Sequence, residues 1–182
     1  MIKLRLLFIL CTASLAAAPA ASATYGGGYA WRAGDETVRC LSWSGQPVRF
    51  ISNPQLADIG RAYRQSDGAP VVELNPLRLG ANNKLSKWWV MHECAHHSVP
   101  PQLDSEARAD CRAIRQVRSS SGGLDYLDIV AFHQALAALP GSPYGHAPGP
   151  QRLKQVMRCA GVSASQFSTA LSQPQASATP TA

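Results

Sequence analysis

The feature that most constrains this 182-residue chain is the pentapeptide HECAH at residues 92–96. Two histidines four residues apart stand one turn apart on one face of an α-helix, where both imidazoles can bind a single metal ion. Residues 85–97 contain no glycine or proline, and Pro100 and Pro101 follow, so we predict a helix that ends before these prolines. The alternative is a surface helix whose two histidines simply face solvent.

Glu93 lies beside the two histidines and has the chemistry of a general base. Its carboxylate can take a proton from a water molecule that a metal activates, and can pass it to a leaving amine. A catalytic zinc ion binds three protein ligands and keeps one position open for water. The pattern therefore predicts one Zn²⁺ per chain, held by His92, His96 and a third ligand downstream.

Glu106 is the favoured third ligand because it lies at the start of a second predicted helix, residues 105–118. Asp110 follows one turn later on the same face, and it can accept a hydrogen bond from the outer nitrogen of a metal-bound histidine. In the competing interpretation, the two carboxylates form a solvated acidic face with Arg108 and Arg112. The other candidate ligands are Asp104, His97, His133 and His146.

The remaining histidines differ in where the chain should place them. His97 follows His96 by about 100° of helical rotation and should point away from the metal. His133 lies in an apolar helical segment, where a packed or surface histidine is the ordinary expectation. His146 lies in a loop rich in proline and glycine, residues 140–150, which could bring it to the open metal position as an oxyanion donor or an extra ligand. The alternative for His146 is plain loop surface.

The start of the chain predicts export. Lys3 and Arg5 precede an apolar run over residues 6–18, and small residues follow at 21–23. This is typical of a secretory signal peptide, residues 1–23, cleaved after Ala23. The run is shorter than the roughly 20 apolar residues of a spanning helix, so we expect a soluble mature protein, periplasmic or extracellular.

Removal of Lys3 and Arg5, with no acidic residue, lowers the formal net charge from +6 to +4. The remaining basic residues are scattered and have no interleaved aromatic pattern, so we predict no nucleic-acid partner. A mild positive excess is instead compatible with loose association with anionic surfaces of the cell envelope.

The mature chain keeps four cysteines, Cys40, Cys94, Cys111 and Cys159. An even number in an oxidising compartment predicts two disulfides, and three pairings are possible. We favour Cys94 with Cys111, on consecutive helices, and Cys40 with Cys159. The absence of a close CxxC pair argues against cysteine zinc ligands.

One domain is expected over residues 35–162, an α+β fold that is mainly helical with a small sheet upstream of the metal helix. A loose glycine-rich arm, residues 24–34, should precede it, and a disordered Ser/Ala/Pro-rich tail, residues 163–182, should follow. Short strands are predicted at 38–43, 47–51 and 70–74, a helical turn at 56–63, and further helices at 124–136 and 151–159. Residues 71–75 form either a core strand or an edge to which an extended peptide can add.

Three segments resemble the gluzincin metallopeptidases of the CaaX prenyl protease type, a group that includes periplasmic zinc endopeptidases. They are HECAH at 92–96, EARAD at 106–110, which looks like the ExxAD ligand segment, and HAPGPQR at 146–152. The resemblance implies a small zincin-like domain with zinc at His92, His96 and Glu106 and catalysis by Glu93. It also implies a supporting role for Asp110, and places His146 and Arg152 near the site.

The function expected from these residues is an exported zinc-dependent metallopeptidase, an endopeptidase acting on a peptide or protein substrate. The alternative is a non-catalytic, zinc-stabilised binding protein of the cell envelope. Glu93 favours the enzyme, because a structural zinc site is usually closed by four ligands and needs no base.

Overall fold

The computed structural model describes residues 28–80, 82–120, 122–141 and 147–173. The predicted signal peptide, residues 24–27 of the predicted arm, His146 and residues 174–182 lie outside this part of the chain. The strands are β1 Trp31–Ala33, β2 Glu36–Val38, β3 Arg49–Ser52, β4 Gly60–Arg64 and β5 Pro70–Leu74. The helices are α1 Asn83–His97, α2 Glu106–Ser120, α3 Tyr126–Leu136, α4 Gly149–Cys159 and α5 Ala164–Ser172, with a 3₁₀ turn at Pro101–Leu103. The predicted α+β, mainly helical fold is confirmed.

Helix α1 lies at the centre of the molecule. Its first turn is capped by Asn82, whose side chain accepts a hydrogen bond from the Leu85 amide at 2.8 Å. The helix contacts α2, α3 and strands of both sheets, and Trp88 and Val90 are fully buried. Residues on this helix are therefore held in place by packing on several sides.

Three strands form a sheet in the order β3-β5-β4, with β3 parallel and β4 antiparallel to β5. All five residues of β5 are buried and β5 lies between β3 and β4, so of the two alternatives for residues 71–75 the core strand is confirmed and the edge is excluded. The helical turn predicted at 56–63 is also wrong, because Gly60–Arg64 pairs with β5 as an edge strand. Pairing with a strand distant in sequence outweighs local preference here.

The predicted loose arm is wrong for Trp31–Ala33, which form an antiparallel ribbon with β2. Trp31 is fully buried and its ring lies 6.2 Å from that of Phe50. Burial of a side chain as large as tryptophan stabilises this ribbon against the core, and this outweighs the glycine-rich composition around it.

The predicted disordered tail is wrong for Ala164–Ser172, which form α5. Ser163 and Gln166 make a reciprocal capping box at its start. Ala170 is buried, and the ring of Phe167 lies 6.0 Å from that of His133 on α3. A cap and two apolar residues one turn apart are sufficient for this short helix to pack against α3.

The structure contains two disulfides, Cys40–Cys94 and Cys111–Cys159. Two disulfides, as predicted, fit an oxidising compartment, but the predicted pairing is wrong. On α2, Asp110 faces α1, and Cys111 is turned about 100° from it, which directs its sulfur towards α4. Cys94 instead meets the segment that follows β2.

Within the described residues, no helix has both the length and the apolar character needed to cross a membrane.

Candidate metal centre

Three of the predicted site residues meet where α1 passes the start of α2. The Nε2 atoms of His92 and His96 lie 3.2 Å apart. Oε2 of Glu106 lies 3.1 Å from Nε2 of His92, and Oε1 of Glu106 lies 3.5 Å from Nε2 of His96. These three groups can each offer one ligand atom to the same ion. Two ligands bonded at zinc distances in a tetrahedral arrangement are roughly 3.3 Å apart, so the spacing fits a zinc ion.

Each of the two histidines also contacts a carboxylate through its outer nitrogen. Nδ1 of His92 lies 2.8 Å from Oδ1 of Asp110, and Nδ1 of His96 lies 3.0 Å from both oxygens of Asp104. A carboxylate at Nδ1 holds the proton on that nitrogen and directs the lone pair of Nε2 towards the metal position. Asp110 thus lies where the sequence analysis placed it.

Asp104, one of the candidate ligands, lies on the outer side of the His96 ring and not at the shared metal position. The 3₁₀ turn at Pro101–Leu103 brings it there by reversing the chain after α1. Sequence reasoning missed this supporting role. The only signal for it was a carboxylate at the end of a short proline-initiated turn between two predicted ligand helices.

Arg152 reaches the site from α4 and binds Asp110 with two parallel hydrogen bonds. Its Nε donates to Oδ2 at 2.9 Å and its Nη2 donates to Oδ1 at 2.8 Å. The guanidinium lies over the rings of Trp88 and Trp89, 5.1 and 5.0 Å from their centroids. Burial alone would raise the pKa of Asp110, but the hydrogen bonds from His92 and Arg152 outweigh it and lower that pKa. Asp110 therefore stays charged beside His92.

The buried carboxylates around His92 favour a cation at this centre. Burial alone would lower the pKa of His92, but its hydrogen bonds to Asp110 and Glu106 outweigh burial and raise the pKa to about 9. A metal ligand must be deprotonated, so a metal ion binding here replaces the proton of His92 and supplies the positive charge itself. The electrostatics and the donor set therefore both fit a divalent cation.

Glu93 lies between the metal centre and the edge strand β4. Burial raises the pKa of its carboxyl group, while the charges of His92 and His96 oppose that shift. A Cβ atom added at Gly60, the first residue of β4, would lie 2.8 Å from Cγ of Glu93 and 2.9 Å from Cδ2 of Leu74. Because Gly60 has no side chain, it leaves room for the side chain of Glu93. Sequence reasoning missed Gly60, because the strand that contains it was not predicted.

The other histidines lie elsewhere or outside the described residues. His97 is buried and its Nε2 lies 2.9 Å from the carbonyl oxygen of Val71, so it points away from the metal centre, as predicted. Burial lowers its pKa. His133 is half-buried on α3 next to Phe167. His146, proposed from the sequence as an oxyanion donor or extra ligand, lies outside the described residues.

No protein-family model, curated protein sequence or solved structure matches this chain. The likeness to gluzincin metallopeptidases therefore stays a resemblance in three short segments.

Proposed function

We propose that this chain is an exported zinc-dependent metallopeptidase, periplasmic or extracellular, that hydrolyses peptide bonds with Glu93 as the general base. The observation that carries the proposal is the meeting of His92, His96 and Glu106: the two Nε2 atoms lie 3.2 Å apart, and each lies 3.1 or 3.5 Å from an oxygen of the Glu106 carboxylate, close to the spacing of two ligands on one zinc ion. With three donors among the described residues, the fourth corner is left for water, which is the arrangement of a catalytic site and not of a structural one.

Zinc, when bound, would lower the pKa of a water molecule and polarise the carbonyl group of the peptide bond. Glu93 would accept the proton that this water loses. Its raised pKa suits this role, because a carboxyl group with a pKa nearer to neutral also returns the proton to the leaving amine more readily. Asp104, Asp110 and Arg152 would hold the two imidazoles in position through the reaction.

Strand β4 offers a place for the substrate. It pairs with β5 along one side and, among the described residues, with no strand along the other. An extended peptide can add to such an edge by main-chain hydrogen bonds, and Gly60 lies against Glu93 at the start of this strand. A peptide on β4 would therefore pass close to the proposed base.

The Glu93→Gln variant tests the proposal. It should keep zinc, because the three ligands remain, and lose at least about a hundredfold in peptide hydrolysis, because the base is gone. Cleavage of a mixed peptide library by the purified protein, followed by mass spectrometry with and without a zinc chelator, measures this loss. Asp67→Asn, which makes the same carboxylate-to-amide exchange at an exposed turn between β4 and β5, is the matched control and should cleave normally.

Two outcomes would count against the peptidase. Equal cleavage by Glu93→Gln and the unaltered protein would exclude Glu93 as the base. Zinc retained without any chelator-sensitive cleavage by the unaltered protein would favour the alternative, a non-catalytic zinc-stabilised binding protein.

A further inference from the structure

Helix α2 presents a row of arginines on the side opposite to its metal-site residues. Arg108, Arg112 and Arg115 follow one another at intervals of about one turn, and all three are exposed. Arg108 is rotated by about 200° from both Glu106 and Asp110, so the row faces away from the metal centre. The three arginines line a shallow surface cavity of about 560 Å³.

A second cavity, of about 260 Å³, adjoins the first between α1 and α2. Arg112 and Gln116 line both cavities, and Arg39 and Leu41 line the second. Neither lining contains an aspartate or a glutamate. Within the described part of the chain, no ion pair includes any of the four arginines. Their charges are therefore available to an anionic partner.

Two large apolar side chains are exposed on the segment that follows Arg39. Leu41 is 61% exposed and Trp43 is 53% exposed. The Trp43 amide donates a hydrogen bond to the carbonyl of His97, and the next residue, Ser98, lines the second cavity. Together with the arginines, these exposed tryptophan and leucine side chains give a surface that is both positively charged and apolar. We call it the basic-apolar face, and it consists of Arg39, Leu41, Trp43, Arg108, Arg112 and Arg115.

We propose that the basic-apolar face docks the protein onto an anionic lipid bilayer. The arginines would bind the phosphate groups of the lipids, and Trp43 and Leu41 would enter the interfacial layer, where tryptophan is favoured. A dissolved polyanion would engage the arginines alone, so the exposed apolar side chains favour a bilayer. The opposite orientation of the metal-site residues on α2 keeps the metal centre away from the docked face.

Vesicle flotation tests this proposal. The protein is purified in its exported form, and its N-terminal residue is determined by mass spectrometry. Vesicles of phosphatidylcholine and phosphatidylglycerol in about a 2:1 ratio should bind the protein, and binding should weaken as salt is added. Vesicles of phosphatidylcholine alone should bind it much less. Each basic residue near an anionic surface contributes roughly fivefold to binding, so Arg112→Gln with Arg115→Gln should reduce the partition coefficient about 25-fold.

The matched control is Arg32→Gln with Arg78→Gln, two exposed arginines outside the face. Both double variants have the same net charge, so the control should lose less than about threefold if the face itself binds. Trp43→Ser, a change at an exposed position that leaves the net charge unaltered, should also weaken binding several-fold. Zinc content and the thermal midpoint of each variant show whether it is folded.

Three results would overturn the proposal. Equal losses in the two double variants would mean that net charge alone attracts the protein to the vesicles. Undiminished binding of Trp43→Ser would remove the apolar contribution. Binding to soluble dextran sulfate without binding to the anionic vesicles would assign the arginines to a dissolved polyanion.

Discussion

At the scale of single residues, the two candidate histidine ligands are supported unequally. His92 is fully buried and contacts Asp110, which Arg152 holds in turn. His96 is partly exposed, and among the described residues the carboxylate at its outer nitrogen is that of Asp104, at the end of the 3₁₀ turn. The orientation of His96 therefore depends on one carboxylate that can be altered without disturbing the core.

We predict that Asp104→Asn lowers the zinc affinity about 10- to 100-fold while leaving the fold unchanged, because the outer nitrogen of His96 loses its charged partner. Competition with a chromophoric chelator measures the affinity. Asp67→Asn, at a surface turn between β4 and β5, is the control and should bind zinc normally. An Asp104→Asn variant with the affinity of the unaltered protein would show that this contact does not orient the ligand.

The sequence predicted the residues whose geometry is local. His92, Glu93 and His96 lie on one helix, where spacing alone fixes their relative positions, and Asp110 follows Glu106 on the next helix by the same rule. The roles of Asp104 and Gly60 depend on how the chain returns to α1 after a turn or through a sheet. No local periodicity contains that information.

At the scale of elements, β4 lies against the Glu93 side chain, and its first residue, Gly60, has no side chain. The space beside Gly60 is filled by Glu93 and Leu74, which a Cβ atom would approach to 3 Å or less. The helix α1 is packed on several sides, so it cannot easily shift to make room.

We predict that Gly60→Ala displaces the Glu93 side chain and reduces peptide hydrolysis at least about tenfold, because a base that moves by about 1 Å loses its alignment with the water. Zinc affinity should change little, since the ligands do not contact Gly60. Steady-state cleavage and chelator competition on the same preparation separate the two effects. Normal cleavage by Gly60→Ala would mean that Glu93 does not need this space.

Helices α1 to α4 could be located from the sequence, because apolar periodicity, caps and prolines are local signals. Strands β1 and β4 could not, because each is defined by a partner elsewhere in the chain. The disulfide pairing was wrong for a related reason. Proximity in sequence suggested Cys94 with Cys111, whereas the faces of α1 and α2 direct those two sulfurs to different neighbours.

At the scale of the whole molecule, the candidate metal ligands come from α1 and α2, while the disulfides connect α1 to the segment after β2 and α2 to α4. A metal bound at this junction adds a cross-link between the two helices that no disulfide provides. A ligand that binds only the folded state stabilises it by an amount that grows with the logarithm of the ligand concentration relative to its dissociation constant.

We predict that zinc at about a thousandfold excess over its dissociation constant raises the free energy of unfolding by about 4 kcal/mol, a rise of roughly 10 °C in the thermal midpoint. Differential scanning calorimetry with zinc, and then with excess chelator, measures this shift. Magnesium is the control and should have little effect, because it prefers oxygen ligands to imidazole. A midpoint that does not respond to zinc would mean that the metal does not bridge α1 and α2.

The central claim is that His92, His96 and Glu106 together hold one zinc ion. Elemental analysis tests it most directly, on protein equilibrated with zinc and then dialysed, beside the His96→Ala and Glu106→Ala variants. We predict about one zinc per chain in the unaltered protein and far less in either variant, since each loses one of three ligands. No zinc in the unaltered protein, or full zinc in both variants, would contradict the claim.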